Sequence, residues 1–198
     1  MQKKIIIVVI YFVFQITSGC STKPLKPSTS HVDILINENL AFLLLPAFAA
    51  EKNFSLTQIV QIKYAKKHYD FITRLEIANH SFKLVGLTGM GVKLFTINSV
   101  DGDYKFETSP LLGSELNLAY LLADLQLTYW PVDQLNPPLQ NHHAHIEAYT
   151  QQRLIFHHNE PIINIQFSSP DRWNKNIIFK HLKRNYTVTI NTIEMEYL

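Results

Sequence analysis

Gln58-Ile-Val-Gln-Ile-Lys-Tyr64 and Phe71-Ile-Thr-Arg-Leu-Glu-Ile77 decide the fold class of this 198-residue chain. In the second stretch Phe71, Leu75 and Ile77 alternate with Ile72, Arg74 and Glu76. Successive side chains of a strand point to opposite faces, so the alternation predicts antiparallel strands with one buried face. The same pattern extends outward. Residues 82–87 and 92–97 flank Thr88-Gly89-Met90-Gly91, and Asp101-Gly102-Asp103 precedes 104–108. Glycine-rich turns between apolar runs are hairpin signals. Strand patterns return at 144–150, 153–157, 162–167, 177–182 and 186–195, which makes a meander of nine or more strands. Val85 and Leu87 lie opposite Phe82 and Leu84, so both faces of that strand carry apolar residues. A sheet with a greasy inner surface and the ordinary packing of two sheets both accommodate this.

One segment breaks the period of two. Leu118, Leu121, Leu122, Leu125 and Tyr129 fall at helical spacing, with Ser114 as the N-cap candidate and Pro131 as the stop. Beyond it a proline-bearing loop through Pro137 and Pro138 is expected. Upstream, residues 37–50 are almost continuously apolar around Pro46, and a short helix with an extended lead-in is expected there.

The N-terminus reads as an export signal. Lys3 and Lys4 precede an uninterrupted apolar run at 5–14, whereas a membrane-crossing helix needs about 20 apolar residues. Ile16-Thr17-Ser18-Gly19-Cys20 resembles a lipobox with Thr17 in place of the usual leucine, which makes Cys20 the lipidated residue. An ordinary signal peptide with an incidental cysteine is the alternative. Cys20 is the only cysteine, so no disulfide forms within the chain. The expected organisation is a signal at 1–19, a lipidated N-terminus with a Ser-, Thr-, Lys- and Pro-rich tether at 20–31, and one domain at 32–198. Several acyl chains on Cys20 would hold the protein to the membrane lipid stably, where one would not. Ser21 stands where an aspartate favours inner-membrane retention in enterobacteria, so the outer membrane, facing the periplasm, is the expected location. Eighteen Lys and Arg face 16 Asp and Glu, and loss of Lys3 and Lys4 with the signal leaves a formally neutral chain. Such a balance offers no polybasic face for nucleic acid.

The blocks Leu121-Leu-Ala-Asp-Leu-Gln-Leu-Thr-Tyr-Trp-Pro131 and Leu84-Val-Gly-Leu-Thr-Gly-Met-Gly-Val-Lys-Leu-Phe-Thr-Ile97 resemble the signatures of a bacterial family. It is the family of uncharacterised outer-membrane lipoproteins encoded beside aryl polyene and related fatty-acid-synthase-like clusters. The resemblance implies a mainly β fold with a central helix (α+β): a strongly curved antiparallel half-barrel closed by helices, similar to the LolA/LolB lipoprotein carrier and receptor. It also implies a non-catalytic protein without a cofactor. Such a protein would accept a lipid-like molecule, an aryl polyene lipid or lipoprotein acyl chains, from a periplasmic carrier or exporter. On this reading Phe82, Leu84, Phe95, Leu118, Leu121, Leu125 and Trp130 line the lipid site, and Asp124, Gln126, Trp130 and Pro131 are the signature residues. The competing expectation is a structural or assembly lipoprotein of an envelope transport complex, with a filled core.

Other chemistries find weaker footing. His142, His143 and His145 cluster, His157 and His158 follow, and a strand would put His143 and His145 on one face. Only Glu147 offers a third metal ligand nearby, so surface histidines are the stronger reading and no metal is expected. Ser81, Ser99, Ser109 and Ser114 lack the Gly-x-Ser-x-Gly elbow of a hydrolase. Gly89-Met-Gly91 lacks the rest of a phosphate-binding loop. Asp124 and Gln126 are polar residues inside the most apolar helix. A structural role for Asp124, bonding a loop backbone or the Trp130 indole, competes with contact to a ligand head group. Trp130 reads as a core anchor at a helix end or, at a cavity mouth, as both anchor and platform.

Overall fold

The computed structural model describes residues 33–47, 53–78, 81–100, 102–112, 116–171, 173 and 176–198. Cys20, the signal, the tether and Ser114 lie outside the described residues.

The period-two stretches form one ten-stranded antiparallel sheet. Its first half runs outward through β3 (Phe54–Tyr64), β4 (Lys67–Ala78), β5 (Ser81–Leu87), β6 (Lys93–Val100) and β7 (Asp103–Thr108). Its second half runs back inward through β8 (Ala144–Ala148), β9 (Gln152–His157), β10 (Glu160–Phe167), β11 (Asn176–His181) and β12 (Tyr186–Tyr197). The halves meet where β12 pairs with β3, from Tyr186 opposite Tyr64 to Tyr197 opposite Phe54. Strands β7 and β8 are the two outer strands. The chain passes between them through α1 (Leu118–Tyr129) and α2 (Val132–Gln140).

Burial follows the alternation. Phe71, Thr73, Leu75 and Ile77 are buried on β4, and Phe54, Leu56, Gln58, Val60 and Ile62 on β3. Val85 and Leu87 are half-buried on the other face. Between β5 and β6, Thr88 to Val92 form the expected turn: the Thr88 amide donates to the Val92 carbonyl at 2.9 Å, and Gly91 adopts φ 79°. That positive φ is open to glycine at no steric cost.

Two expectations are corrected. The apolar stretch after Asn37 forms no helix among the described residues. Instead β1 (Asp33–Asn37) and β2 (Leu40–Leu43) pair as a separate antiparallel hairpin, with 44–47 extended beyond it. Leu40, Phe42 and Leu44 are buried while Ala41, Leu43 and Leu45 are half-buried. A period of two exists there, but apolar residues occupy both phases and hide it. The second correction concerns the expected proline-bearing loop, which is helical as α2, with Pro137 and Pro138 inside it. Each proline gives up a helical N–H bond. Fully buried Leu135 and Leu139 hold the helix down, and the Asn136 side chain accepts the Ile146 amide at 2.9 Å. Tertiary packing thus outweighs a poor local propensity.

Gly86 is fixed by a neighbour. It faces Phe95 across β5 and β6, and a Cβ at Gly86 would lie 2.1 Å from the ring of Phe95. Phe95 in turn packs edge-on against Phe71 with ring centroids 5.6 Å apart. Substituting Gly86→Ala should therefore destabilise the fold by roughly 1–3 kcal/mol through overpacking. The double variant Gly86→Ala/Phe95→Leu should recover part of that loss in denaturant unfolding; strictly additive effects would contradict this packing.

Candidate functional site

Helix α1 is buried nearly all round. Leu118, Leu122, Ala123 and every residue from Asp124 to Tyr129 are buried. Its N-cap is Asn117, whose Oδ1 accepts the Ala119 amide at 2.9 Å. Because the flank of the helix is closed to water, its polar groups need protein partners. The side chains of Asp124, Gln126 and Trp130 each have one, and the Pro131 carbonyl accepts the Gln134 and Leu135 amides at the start of α2. The Gln126 side chain accepts the Leu45 amide at 2.9 Å and donates to the Leu45 carbonyl at 2.6 Å, and it also donates to the Tyr104 hydroxyl at 3.0 Å. The Trp130 indole donates to the Pro46 carbonyl at 2.9 Å, and its ring meets Phe82 edge-on at 5.7 Å. Residues 45 and 46 are thereby stitched to the helix by two side chains four positions apart.

Asp124 bonds neither a loop backbone nor Trp130, contrary to expectation. Its Oδ2 accepts the Tyr186 hydroxyl of β12 at 2.7 Å. Burial pushes its carboxyl up to about 7, against the opposing pull of that hydrogen bond and of Arg184. Burial and the adjacent Asp124 raise the Tyr186 hydroxyl well above the ordinary tyrosine range.

Sequence reasoning missed three further residues. Arg153 is buried on β9, and its Nη1 donates to the carbonyls of Leu127 at 2.6 Å, Thr128 at 3.2 Å and Trp130 at 3.1 Å. It satisfies the C-terminal carbonyls of α1 and complements the negative end of the helix dipole. His181 is buried on β11, bonds the Ile36 carbonyl at 2.7 Å through Nε2, and is lowered to about 4 chiefly by burial. The Arg184 guanidinium lies 4.5 Å over the Tyr120 ring and donates to the Leu35 carbonyl. An arginine on a strand or in a turn looks exposed in sequence, and nothing local marks one that ends inside the fold.

Two spaces open between α1 and the sheet. A void of about 30 Å³ lies beneath the helix, among Val60, Leu84, Leu125, Phe179 and Ile190. At the β3–β12 seam a cleft of about 430 Å³ opens among Ile62, Tyr64, Tyr69, Leu116, Tyr120 and Tyr186. Leu121, Asp124 and Val188 line both, so the two spaces adjoin. Of the expected lining residues, Leu84, Leu121 and Leu125 border these spaces. Phe82, Phe95, Leu118 and Trp130 are instead buried in the packed core.

His143, His157 and His158 come together, the last two with ring centroids 4.2 Å apart. His143 adopts φ 57° in the turn before β8 and stacks on His158 at 5.3 Å, while His145 stacks on Phe156 at 5.0 Å. Among the described residues no group of three or more His, Cys, Asp or Glu is placed to hold a metal. No described helix is long and apolar enough to cross a membrane.

Comparison with known proteins gives one family and several distant structures. The family described as "Protein of unknown function (DUF3261)" matches residues 55–194. No curated protein matches. Among solved structures, the chain is similar to a LolA superfamily protein from Nitrosomonas europaea at 7% identity and TM-score 0.38, over 76% of this chain and 88% of that one. A domain from Vibrio parahaemolyticus, provisionally named for outer membrane lipoprotein sorting, matches at 9% identity and TM-score 0.37, over 74% and 85%. A DUF1329 family protein from Desulfovibrio piger matches at 7% identity and TM-score 0.32, over 74% and 85%.

Asp124 and His181 give opposite contributions to stability against pH. The folded state holds the Asp124 proton up to about pH 7, so the contribution of Asp124 is full below 3.8 and is lost as pH rises through 7. His181 is held neutral, so its contribution is full above 6.5 and is lost as pH falls through about 4. Asp124→Asn keeps an acceptor for Tyr186 and removes the first of these. The stability difference between variant and native protein should then grow in favour of Asn by a few kcal/mol from about pH 4 to pH 8. Denaturant titrations at several pH values check this; a difference independent of pH would refute the assignment.

Proposed function

We propose that this chain, which belongs to the DUF3261 family, is a non-catalytic envelope lipoprotein that holds the apolar part of a lipid-like molecule beneath α1. The cleft at the β3–β12 seam carries this reading. It is within the usual size range of a ligand site, its lining is largely aliphatic and aromatic, and Leu121 and Val188 place it next to the void beneath the helix. Apolar surface kept from water there contributes about 25 cal/mol per Å². The expected cargo is an aryl polyene lipid or a lipoprotein acyl chain. A periplasmic carrier or exporter would deliver it, and Cys20 would anchor the acceptor at the periplasmic face of the outer membrane.

A second reading has its own support. The space under α1 is mostly filled, and Met90, Val92, Val100 and Leu111 are exposed. A structural lipoprotein that docks through surface residues within a transport complex would be built in this way.

Two experiments separate the readings. Cys20→Ser should move the protein from the outer-membrane fraction to the soluble periplasm; unchanged fractionation would remove the anchor. The full chain with Cys20→Ser, purified without detergent, should take up a fatty-acid probe whose fluorophore reports an apolar environment. Adding Leu121→Gln should weaken that uptake at least about fivefold, roughly the 1 kcal/mol of a small loss of apolar contact. Its thermal midpoint should stay close to that of the parent. Absence of uptake, together with no amphiphile in lipid extracts of the native protein, would favour the structural reading.

A further inference from the structure

The cleft has a polar neighbour. A second opening of about 670 Å³ lies among Asn37, Glu38, His157, His158, Glu160 and Lys183. Tyr120 and Arg184 line both this chamber and the apolar cleft, so they form the wall between them. An apolar slot that meets a polar chamber across a shared wall has the outline of an amphiphile.

The charges at this wall are unequal. Lys183 is paired with Glu160 at 2.5 Å, so its charge is already answered. Among the described residues no carboxylate lies within ion-pair distance of Arg184. Its Nη2 donates to the Leu35 carbonyl and, at 3.5 Å, to the Tyr120 hydroxyl, leaving Nε and Nη1 without an acceptor among the described residues. Asp124, the nearby carboxyl that feels this charge, is occupied by Tyr186 and burial favours its neutral form. On the chamber side, buried His157 has an Nε2 atom with no hydrogen-bond partner among the described residues. A half-buried guanidinium fixed by stacking and by a backbone carbonyl is preorganised for an anionic oxygen. Glu38 and Glu160 line the chamber beside Lys183 and Arg184, and among the described residues Arg184 is the cation there outside an ion pair, so it is the group placed to meet one anionic head.

We propose that Arg184 reads the head of the bound molecule, and that the ligand is a single-chain amphiphile with a monoanionic carboxylate head. The tail lies in the seam cleft and the carboxylate at the Arg184–Tyr120 wall. This rests on the reading of the cleft as a lipid site and adds the chemical class of its occupant.

The test uses the full chain with Cys20→Ser and three probes carrying the same fluorophore on one 16-carbon chain: the free acid, its methyl ester and the alkyl phosphate. At pH 6, where Asp124 keeps its proton, the acid should bind about tenfold more tightly than the ester, the scale of one charge-assisted hydrogen bond. Added salt should weaken the acid and leave the ester unchanged. Arg184→Gln should bring the acid down to the level of the ester without altering ester binding, and Arg184→Lys should keep part of the preference. Retained ester binding shows that the Gln variant is folded. Equal binding of acid and ester by the unsubstituted protein, or a preference that survives Arg184→Gln, overturns the inference and leaves the lipid-site reading standing. Tighter binding of the phosphate than of the acid overturns the carboxylate class. No binding of any probe overturns both.

Discussion

A helix buried along most of its length has little water to satisfy it, and that constraint organises this protein. Leaving a buried donor or acceptor unpaired costs roughly 1–3 kcal/mol, so each polar group on α1 dictates where a partner must stand. Gln126 brings in the backbone at Leu45, Trp130 the carbonyl of Pro46, Asp124 the hydroxyl of Tyr186, and the helix C-terminus the guanidinium of Arg153. These partners come from three widely separated parts of the chain, residues 45–46, 153 and 186. Helix, hairpin and sheet are therefore held in register by polar contacts inside an apolar core, where a shifted arrangement would strand several of them at once.

The connectivity of the sheet explains why the open space lies where it does. Two five-stranded meanders are joined into one sheet by the pairing of β3 with β12, and α1 and α2 carry the chain from one outer strand to the other. Near Tyr64 and Tyr186 the seam meets the first turns of α1, and there the packing between helix and sheet opens into the cleft. Farther along α1, Leu125 and Tyr129 close over Val60, Phe179 and Ile190 and leave only a small void. Packing is thus densest toward the Arg153 cap and loosest at the Asn117 cap. Asp124 stands at the transition, bordering both spaces.

Much of the fold was legible because strand burial is a local, period-two property. Phe71, Leu75 and Ile77 announce their face without knowing their partners, and Leu118 to Tyr129 announce a helix in the same way. Legibility failed where the pattern was saturated or the local propensity misled. Leu40 to Leu45 carry apolar residues in both phases, so their strand could not be told from a helix. Pro137 and Pro138 argued for a loop, and only buried Leu135 and Leu139 reversed that. The site was half legible. Leu84, Leu121 and Leu125 were anticipated as lining residues, whereas Arg184, Tyr186 and Arg153 have no local signature that separates them from surface residues.

The sequence alone is enough for an antiparallel β chain with a lone cysteine, Cys20, and for one apolar helix that carries Asp124, Gln126 and Trp130. Those features rest on composition and short-range periodicity, which a linear chain displays openly. Only the folded molecule shows that β12 joins β3, that the helix is buried from Leu122 to Tyr129, and that Arg184 stands between an apolar cleft and a polar chamber. Each of these depends on residues more than 60 positions apart meeting through hydrogen bonds and packing, as Tyr186 meets Asp124 and Arg184 meets Tyr120. No local pattern encodes such a meeting, because its free energy exists only once both partners are in place.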